Sequence, residues 1–162
     1  MDANALARAC ADRLWADDLA SRALGIELIS VELGNAVLAM SVTDKMVDAH
    51  RICHGGHVLA FAHAAFNYAC NTHNQPAVAQ HCDVAFLNAA ELGDRLVARA
   101  AERQRAGATG IYDVLVTREE GFVIAEFRGV SRMLDGELVP GSGTRRAPGS
   151  GVQKPGLRRK DR

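Results

Sequence analysis

The chain has 162 residues, which is the length of one ordinary domain. With 48% apolar and 23% charged residues it has the composition of a soluble globular protein, and this excludes a disordered or fibrous one. A chain of this size buries roughly 70% of its unfolded surface, so it needs no disulfide or metal to fold. Nineteen Lys and Arg balance nineteen Asp and Glu, and this neutrality argues against a nucleic-acid partner.

The zero net charge is the sum of two unlike parts. Residues 140–162 contain seven Lys or Arg and one Asp, so the remaining residues 1–139 carry a net charge of −6. Three of the four prolines and five of the fifteen glycines also lie in 140–162. We therefore predict one domain, 1–139, followed by a basic, disordered tail, 140–162, that is a solvated extension. An RNA-binding or membrane-surface role for the tail is the alternative.

The termini and cysteines indicate a cytoplasmic protein. Residues 1–18 contain neither a basic region nor an apolar core, so we do not expect a signal peptide. No apolar run reaches the ~18 residues that a membrane span requires. The four cysteines form no CxxC pair, and we expect Cys53, Cys70 and Cys82 to be small buried apolar residues.

Hydrophobic spacing and turn signals predict a helix, two strands, a long helix and four strands, in that order. The first helix covers 3–18, and 19–24 adds a short helical turn. The remaining elements are the strands 26–33 and 36–42, the helix 57–72, and the strands 77–87, 95–105, 110–117 and 122–131.

This order lacks the alternation of strand and helix that a parallel sheet requires, so the fold class is α+β. The long helix is nearly all apolar, and we expect an antiparallel sheet to curl around it. Its polar residues, His57, His63, Asn67 and Asn71, fall within an arc of about 120° when successive residues are placed 100° apart. A wholly buried helix would not need this arc, whereas a subunit interface or ligand cleft would.

Gly55 and Gly56 lie immediately before the predicted long helix. Glycine lets a substrate approach the backbone closely, and the first N–H groups of a helix have no helical partner. Such a turn can stabilise an oxyanion. The same pair is also compatible with an ordinary tight entry turn.

The ordered set of motifs resembles the hot-dog thioesterases of the phenylacetate-degradation (PaaI-type) family. The resemblance covers roughly 10–135 and rests on these segments: Ala23-Leu24-Gly25-Ile26, His54-Gly55-Gly56, Phe61-Ala62-x-Ala64-Ala65-Phe66, Ala69-Cys70-Asn71, Ala77-Val78-Ala79, Phe86-Leu87, Gly110-Ile111-Tyr112-Asp113 and Ala125-x-Phe127-Arg128-Gly129.

The resemblance implies a long central helix wrapped by a five- or six-stranded antiparallel sheet, with an N-terminal helix. It implies dimers or dimers of dimers whose active sites lie at the subunit interface. It also implies hydrolysis of acyl-CoA thioesters, such as phenylacetyl- or hydroxyphenylacetyl-CoA, without a metal or other cofactor. The Gly55 and Gly56 backbone would polarise the thioester carbonyl, and His54 and Asn67 would contact the substrate.

Two residues depart from the family pattern. The family's catalytic Asp is replaced by His63, and an Asn near the site is replaced by Asp48. An imidazole suits water activation at neutral pH, and a carboxylate can orient it. We therefore hypothesise an Asp48–His63 dyad. The alternatives are a non-hydrolytic acyl-CoA-binding protein, or catalysis through Asp83 or through Asp48 alone.

Two other kinds of site are considered. A hot-dog hydratase or dehydratase is a weaker match, because five residues separate Asp48 from His54 and the long helix has no Glu. His50, Cys53, His54 and His57 match no standard zinc spacing, so no metal site is predicted. Arg51, Arg95, Arg99, Arg128 and Arg132 are candidates for CoA contacts, and we expect neither a nucleic-acid nor a membrane partner.

Overall fold

The computed structural model describes residues 1–142, so the predicted tail lies outside the described residues from position 143 onward. Its helices are α1 (Ala3–Trp15), α2 (Leu19–Ala23) and α3 (Gly55–Cys70). Its strands are β1 (Glu27–Glu32), β2 (Asn35–Ser41), β3 (Ala77–Phe86), β4 (Arg95–Ala106), β5 (Thr109–Arg118) and β6 (Val123–Met133). Every predicted element is present, but the first helix ends at Trp15 rather than at residue 18.

The six strands form one antiparallel sheet in the order β1-β2-β4-β5-β6-β3. β3 therefore lies at an edge, although the chain reaches it before β4. Residues alternate across each strand, so one face of the sheet is apolar and packs on α3. The predicted α+β fold with a helix wrapped by a sheet is confirmed.

α3 approaches the sheet closely because small residues lie at the points of contact. Ala62, Ala65 and Ala69 are fully buried on the helix, and Phe66 packs between them and β6. A Cβ at Gly129 would lie 2.6 Å from the Phe66 ring, so only glycine fits beneath this ring. The Phe66–Gly129 contact fixes how near α3 lies to β6.

The C-terminal end of α3 is anchored by polar contacts. Asn71 donates to the Ala77 carbonyl (3.1 Å) and accepts from its N–H (2.9 Å), which joins the helix end to β3. Thr72 accepts from the Gly34 N–H at 2.8 Å, which joins it to the β1–β2 turn. Asn71, which belongs to the predicted polar arc, is therefore a buried structural residue.

A hydrogen-bonded cluster closes the same end of the molecule. Arg105 donates to Nδ1 of His73 (2.9 Å), so the other ring nitrogen carries the proton and donates to Glu102 (2.6 Å). The Tyr112 hydroxyl donates to the same carboxylate oxygen of Glu102 at 2.7 Å. Because His73 and Tyr112 share this acceptor, the cluster ties β4 and β5 to the loop after α3.

The chain after β6 returns along this loop. Asn74, whose φ is +58°, accepts from the Val139 N–H at 2.7 Å and donates to the Ser142 hydroxyl at 2.6 Å. The described contacts thus extend to Ser142, three residues beyond the predicted domain boundary at 139. No helix within residues 1–142 is long and apolar enough to cross a membrane.

Substitution of Gly129 by Ala is expected to destabilise the fold by about 1–3 kcal/mol, because the new methyl group overlaps the Phe66 ring. Urea unfolding measures the change. The Gly129→Ala/Phe66→Leu double variant should lose less than the sum of the two single losses, because the smaller side chain makes room. Strict additivity would contradict the assigned contact.

Candidate functional site

The first turn of α3 begins two residues earlier than the sequence predicts. His54 is the residue that caps the helix, and its Nδ1 accepts a hydrogen bond from the Gly56 N–H at 3.0 Å. Because its side chain supplies an acceptor, Gly55 and Gly56 become the first two helical residues. Histidine is an unusual capping residue, which is why the sequence pattern did not reveal this start.

The His54 cap leaves one open donor at this turn. The Gly56 N–H is engaged by His54, and the His57 N–H donates to the His54 carbonyl at 2.9 Å. The Gly55 N–H takes part in none of the turn, cap or side-chain hydrogen bonds formed within residues 1–142. Of the predicted pair of donors, Gly55 is therefore the one available to a ligand.

Gly55, which carries the open donor, lines a groove of about 380 Å³. Its walls are mainly apolar, and Asp48 and Gly55 both line it; the larger apolar side chains are Ile52, Val58, Phe86, Leu87 and Ile124. The Phe86 ring lies against Gly55, at 3.1 Å from where a Cβ would be. The groove can hold an apolar group beside a polarised carbonyl.

Asp48 shapes the loop that forms one wall of this groove. One of its carboxylate oxygens, Oδ1, accepts from the N–H groups of His50 (2.8 Å) and Ile52 (3.4 Å). Its backbone N–H donates to the Ile52 carbonyl at 2.9 Å, and Arg51 within the turn has a left-handed φ of 62°. A carboxylate that holds such a turn stabilises a conformation that arginine rarely adopts.

His63 lies on the side of α3 that faces β6. Its ring is 5.7 Å from the Phe66 ring and 6.5 Å from the Phe127 ring, centroid to centroid. Burial among these aromatic groups lowers the pKa of His63, because the charged form loses hydration. The ring is therefore mainly neutral at pH 7, which is the state that a general base requires.

The structure brings Asp48 and Gly55 together, but it does not bring His63 or Asn67 to the same groove of the chain. Within residues 1–142 no hydrogen bond or ion pair joins Asp48 to His63. Asn67 lies one helical turn beyond His63, where it accepts from Asn71 at 3.3 Å through its side-chain oxygen. The predicted site residues thus fall into two groups. Asp48 and Gly55 line the groove at the start of α3, and His63 and Asn67 lie further along the helix.

Other candidates from the sequence occupy different positions. Asp83 is opposite Arg128 on β6, on the outer face of the sheet and away from α3. Arg95 pairs with Glu27 and Arg128 pairs with Asp113, so both guanidinium groups already have carboxylate partners.

The cysteines and metal-ligating residues show no reactive arrangement in the described part of the chain. Burial and the nearby Asp48 carboxylate raise the pKa of the Cys53 thiol to about 11, which makes it a poor nucleophile. Cys10, Cys53 and Cys70 are buried free thiols, whereas Cys82 is only half-buried. Across residues 1–142, no three His, Cys, Asp or Glu side chains are placed to hold a metal ion.

A long helix wrapped by one antiparallel sheet, as α3 is here, is the architecture of the hot-dog class. The model of the thioesterase superfamily matches residues 50–125. The acyl-coenzyme A thioesterase PaaI of Escherichia coli K12 is 38% identical over 129 residues, which cover 80% of this chain and 92% of that protein.

Solved structures agree with the sequence comparison. The structure of the E. coli PaaI protein from the phenylacetic acid degradation operon superposes with a TM-score of 0.82 at 37% identity, over 84% of this chain and 99% of that one. A mutant of the phenylacetic acid degradation protein PaaI from Thermus thermophilus gives 0.68 at 36% identity, over 70% and 97% of the two chains. The chain belongs to the PaaI-type family of hot-dog thioesterases, as the sequence motifs predict.

Proposed function

We propose that this protein hydrolyses acyl-CoA thioesters in the cytoplasm, with aryl-acetyl groups such as phenylacetyl or hydroxyphenylacetyl as preferred acyl groups. Water adds to the thioester carbonyl, the C–S bond breaks, and the products are the free acid and CoA. The observation that carries the proposal is the open Gly55 N–H beside an apolar groove, in a chain of this family. The relative from E. coli, an acyl-coenzyme A thioesterase encoded in a phenylacetic acid degradation operon, supports the acyl group.

The chemistry needs a donor where negative charge develops. The thioester oxygen becomes an oxyanion when water attacks, and a fixed N–H at a helix N-terminus stabilises that charge. The Gly55 N–H supplies the hydrogen bond. His54 is proposed to contact the substrate, as is Asn67 of the partner subunit, because Asn67 does not line the groove of its own chain. Neither a metal nor another cofactor is needed for this step, because the backbone donor and a neutral imidazole supply the two functions.

His63 is the proposed general base, but it cannot serve the groove of its own chain. A general base must lie within hydrogen-bond reach of the water that it activates. Gly55 and His63 are eight positions apart on α3, which is roughly 12 Å along a helix. We therefore place His63 of the partner subunit opposite Gly55, so that each groove is completed by a second copy.

The edge strand β3 offers the surface for this pairing. Its outer edge has no neighbouring strand within the described residues, and most of its side chains are half-buried or exposed. Unpaired strand edges readily add another strand, so two copies joined along β3 would continue the sheet. We propose a homodimer of this kind, alone or as half of a homotetramer.

Asp48 is proposed to orient the incoming imidazole. It lines the same groove as Gly55, so a partner His63 that reaches the thioester also reaches this carboxylate. Its Oδ1 already accepts hydrogen bonds from two N–H groups of the 48–52 turn. Oδ2 is the oxygen proposed to accept from the ring and stabilise its protonated form.

The replacement of the family's Asp by His63 favours one alternative function, an acyl-CoA-binding protein that does not hydrolyse. Equilibrium binding of phenylacetyl-CoA, with thiol release followed in the same sample, separates the two functions. Tight binding without release would establish the alternative.

Two substitutions at Gly55 test the oxyanion donor. Proline is tolerated at the first helical position, and His54 has a φ of −58° and a ψ of 133°, which suit the residue before proline. Gly55→Pro should lower kcat about 10²–10³-fold because the N–H is lost. Gly55→Ala is the matched control: it meets the same Phe86 ring but keeps the donor, so most of its kcat should remain.

The pH profile tests His63 and Asp48. His63→Ala should lower kcat roughly 10²–10⁴-fold because the general base is removed. In the wild type, kcat/KM should fall as the pH drops through the pKa of His63, because protonation removes the base. Burial lowers this pKa, and the proposed Asp48 carboxylate raises it. Asp48→Asn keeps the turn acceptor but removes the charge, so this acidic limb should move to still lower pH. An unchanged kcat/KM in both variants would contradict the proposed dyad.

Mixed oligomers test the shared site. The His63→Ala and Gly55→Pro variants are separately impaired, but a mixed dimer contains one site with both functional groups intact. Refolding the two together in equal amounts should restore about a quarter of the wild-type kcat, because half of the dimers are mixed and each has one intact site. Activity no greater than the sum of the separate variants would place both groups in one chain.

A further inference from the structure

A second groove lies on the other side of the first turn of α3. It has a volume of about 480 Å³ and is bounded by α2, the turn at Gly25, the loop 43–46 and the His57 side chain. This volume is in the range of ordinary ligand sites. No site residue predicted from the sequence lines this groove, and neither does any of the five arginines considered for CoA.

The lining of this groove is cationic on an otherwise acidic domain. Arg22 and Lys45 line it together with the His57 imidazole, and Asp44 is the only carboxylate in the lining. Arg22 is held in place: it donates to the Trp15 carbonyl at 2.8 Å and lies 5.9 Å from the centre of the indole ring. Lys45 forms no ion pair within residues 1–142, so its ammonium group is open to a ligand.

The two grooves are neighbours across a single helical turn. Gly55 lines the apolar groove and His57, two residues later, lines the cationic one. The rings of His54 and His57 pack edge to face at a centroid distance of 6.4 Å, and both residues belong to the turn at which α3 begins. Because Gly55 and His57 are two positions apart, roughly 3 Å along the helix axis, a long ligand with its carbonyl at Gly55 can reach both grooves.

We propose that the cationic groove binds phosphate groups of the nucleotide portion of the acyl-CoA, while the acyl group occupies the apolar groove. This inference rests on the proposed function. An acyl-CoA has an apolar end and a polyanionic end, and the two grooves offer matching surfaces on either side of the reacting carbonyl. Arg22 and Lys45 supply fixed and flexible cations respectively, and both kinds of donor bind phosphate.

Kinetics with two thioesters test the groove. Lys45→Ala should raise the KM for phenylacetyl-CoA roughly threefold, and Arg22→Gln/Lys45→Ala roughly tenfold, which is the scale of exposed charge contacts. The KM for phenylacetyl-pantetheine, which has no phosphate, should change by less than about twofold under the same reasoning. Raised salt should weaken CoA thioester binding less in the double variant than in the wild type.

Arg103→Ala is the matched control, because it removes an equal charge on the outer face of β4, where Arg103 lies 3.4 Å from Asp113. Its KM for phenylacetyl-CoA should match that of the wild type. An equal rise in this control, or an equal rise for both thioesters in Lys45→Ala, would overturn the proposal.

Calorimetric binding of free CoA and of pantetheine keeps the two proposals distinguishable. If the wild type hydrolyses neither thioester, the proposed activity fails. The groove proposal is still supported if Lys45→Ala binds CoA more weakly than the wild type does but binds pantetheine equally well. If the wild type hydrolyses phenylacetyl-CoA but binds CoA no more tightly than Lys45→Ala and Arg22→Gln/Lys45→Ala do, the groove proposal fails and the proposed activity stands.

Discussion

The packing of α3 on the apolar face of the sheet is the interaction on which the rest of the structure depends. The helix is too apolar to be stable in water, and the sheet has one face that must be covered. Phe66 over Gly129 sets the separation of the two layers, and Asn71 and Thr72 fix the far end of the helix. With its C-terminal end anchored in this way, the helix holds its first turn, and therefore the Gly55 N–H, in a defined place.

The first turn concentrates the chemistry of the domain. Gly55 of this turn lines the apolar groove and carries the open donor, and His57 of the same turn lines the cationic groove. His54 has a structural part in this arrangement, because by accepting from Gly56 it decides which of the two glycine donors is open. The site is thus specified by the way the helix begins as much as by side chains with acid–base chemistry.

Most of the fold was predictable from the sequence, because it depends on patterns that are local. The alternation of β4 and β5, the apolar run of α3 and the turns at glycines each belong to one segment, and the motifs around Gly55 identified the family. The start of α3 was missed because it depends on the orientation of the His54 ring. The role of Asn71 was also missed, since a polar residue on a helix gives no sign of whether it meets solvent or a distant strand.

The site was less predictable for a physical reason: its parts are distant in sequence. The sequence picked out Asp48 and His63 as one dyad, but it did not show that Asp48 lines the groove at Gly55 whereas His63 of the same chain lies outside that groove. The phosphate-binding residues proposed here, Arg22 and Lys45, belong to segments that meet only after folding. Two of the arginines considered for CoA contacts, Arg95 and Arg128, instead pair with carboxylates of neighbouring strands.

The edge of β3, which no strand of residues 1–142 covers, has a consequence for how such a protein would behave at low concentration. If the groove of one copy is completed by the next, then an isolated chain is folded but chemically incomplete, and catalysis begins only when two chains associate. The amount of protein would then set not just the number of active sites but the fraction of chains that have one. Dilution would therefore lower the activity per chain, because each chain needs a partner chain as an obligatory activator.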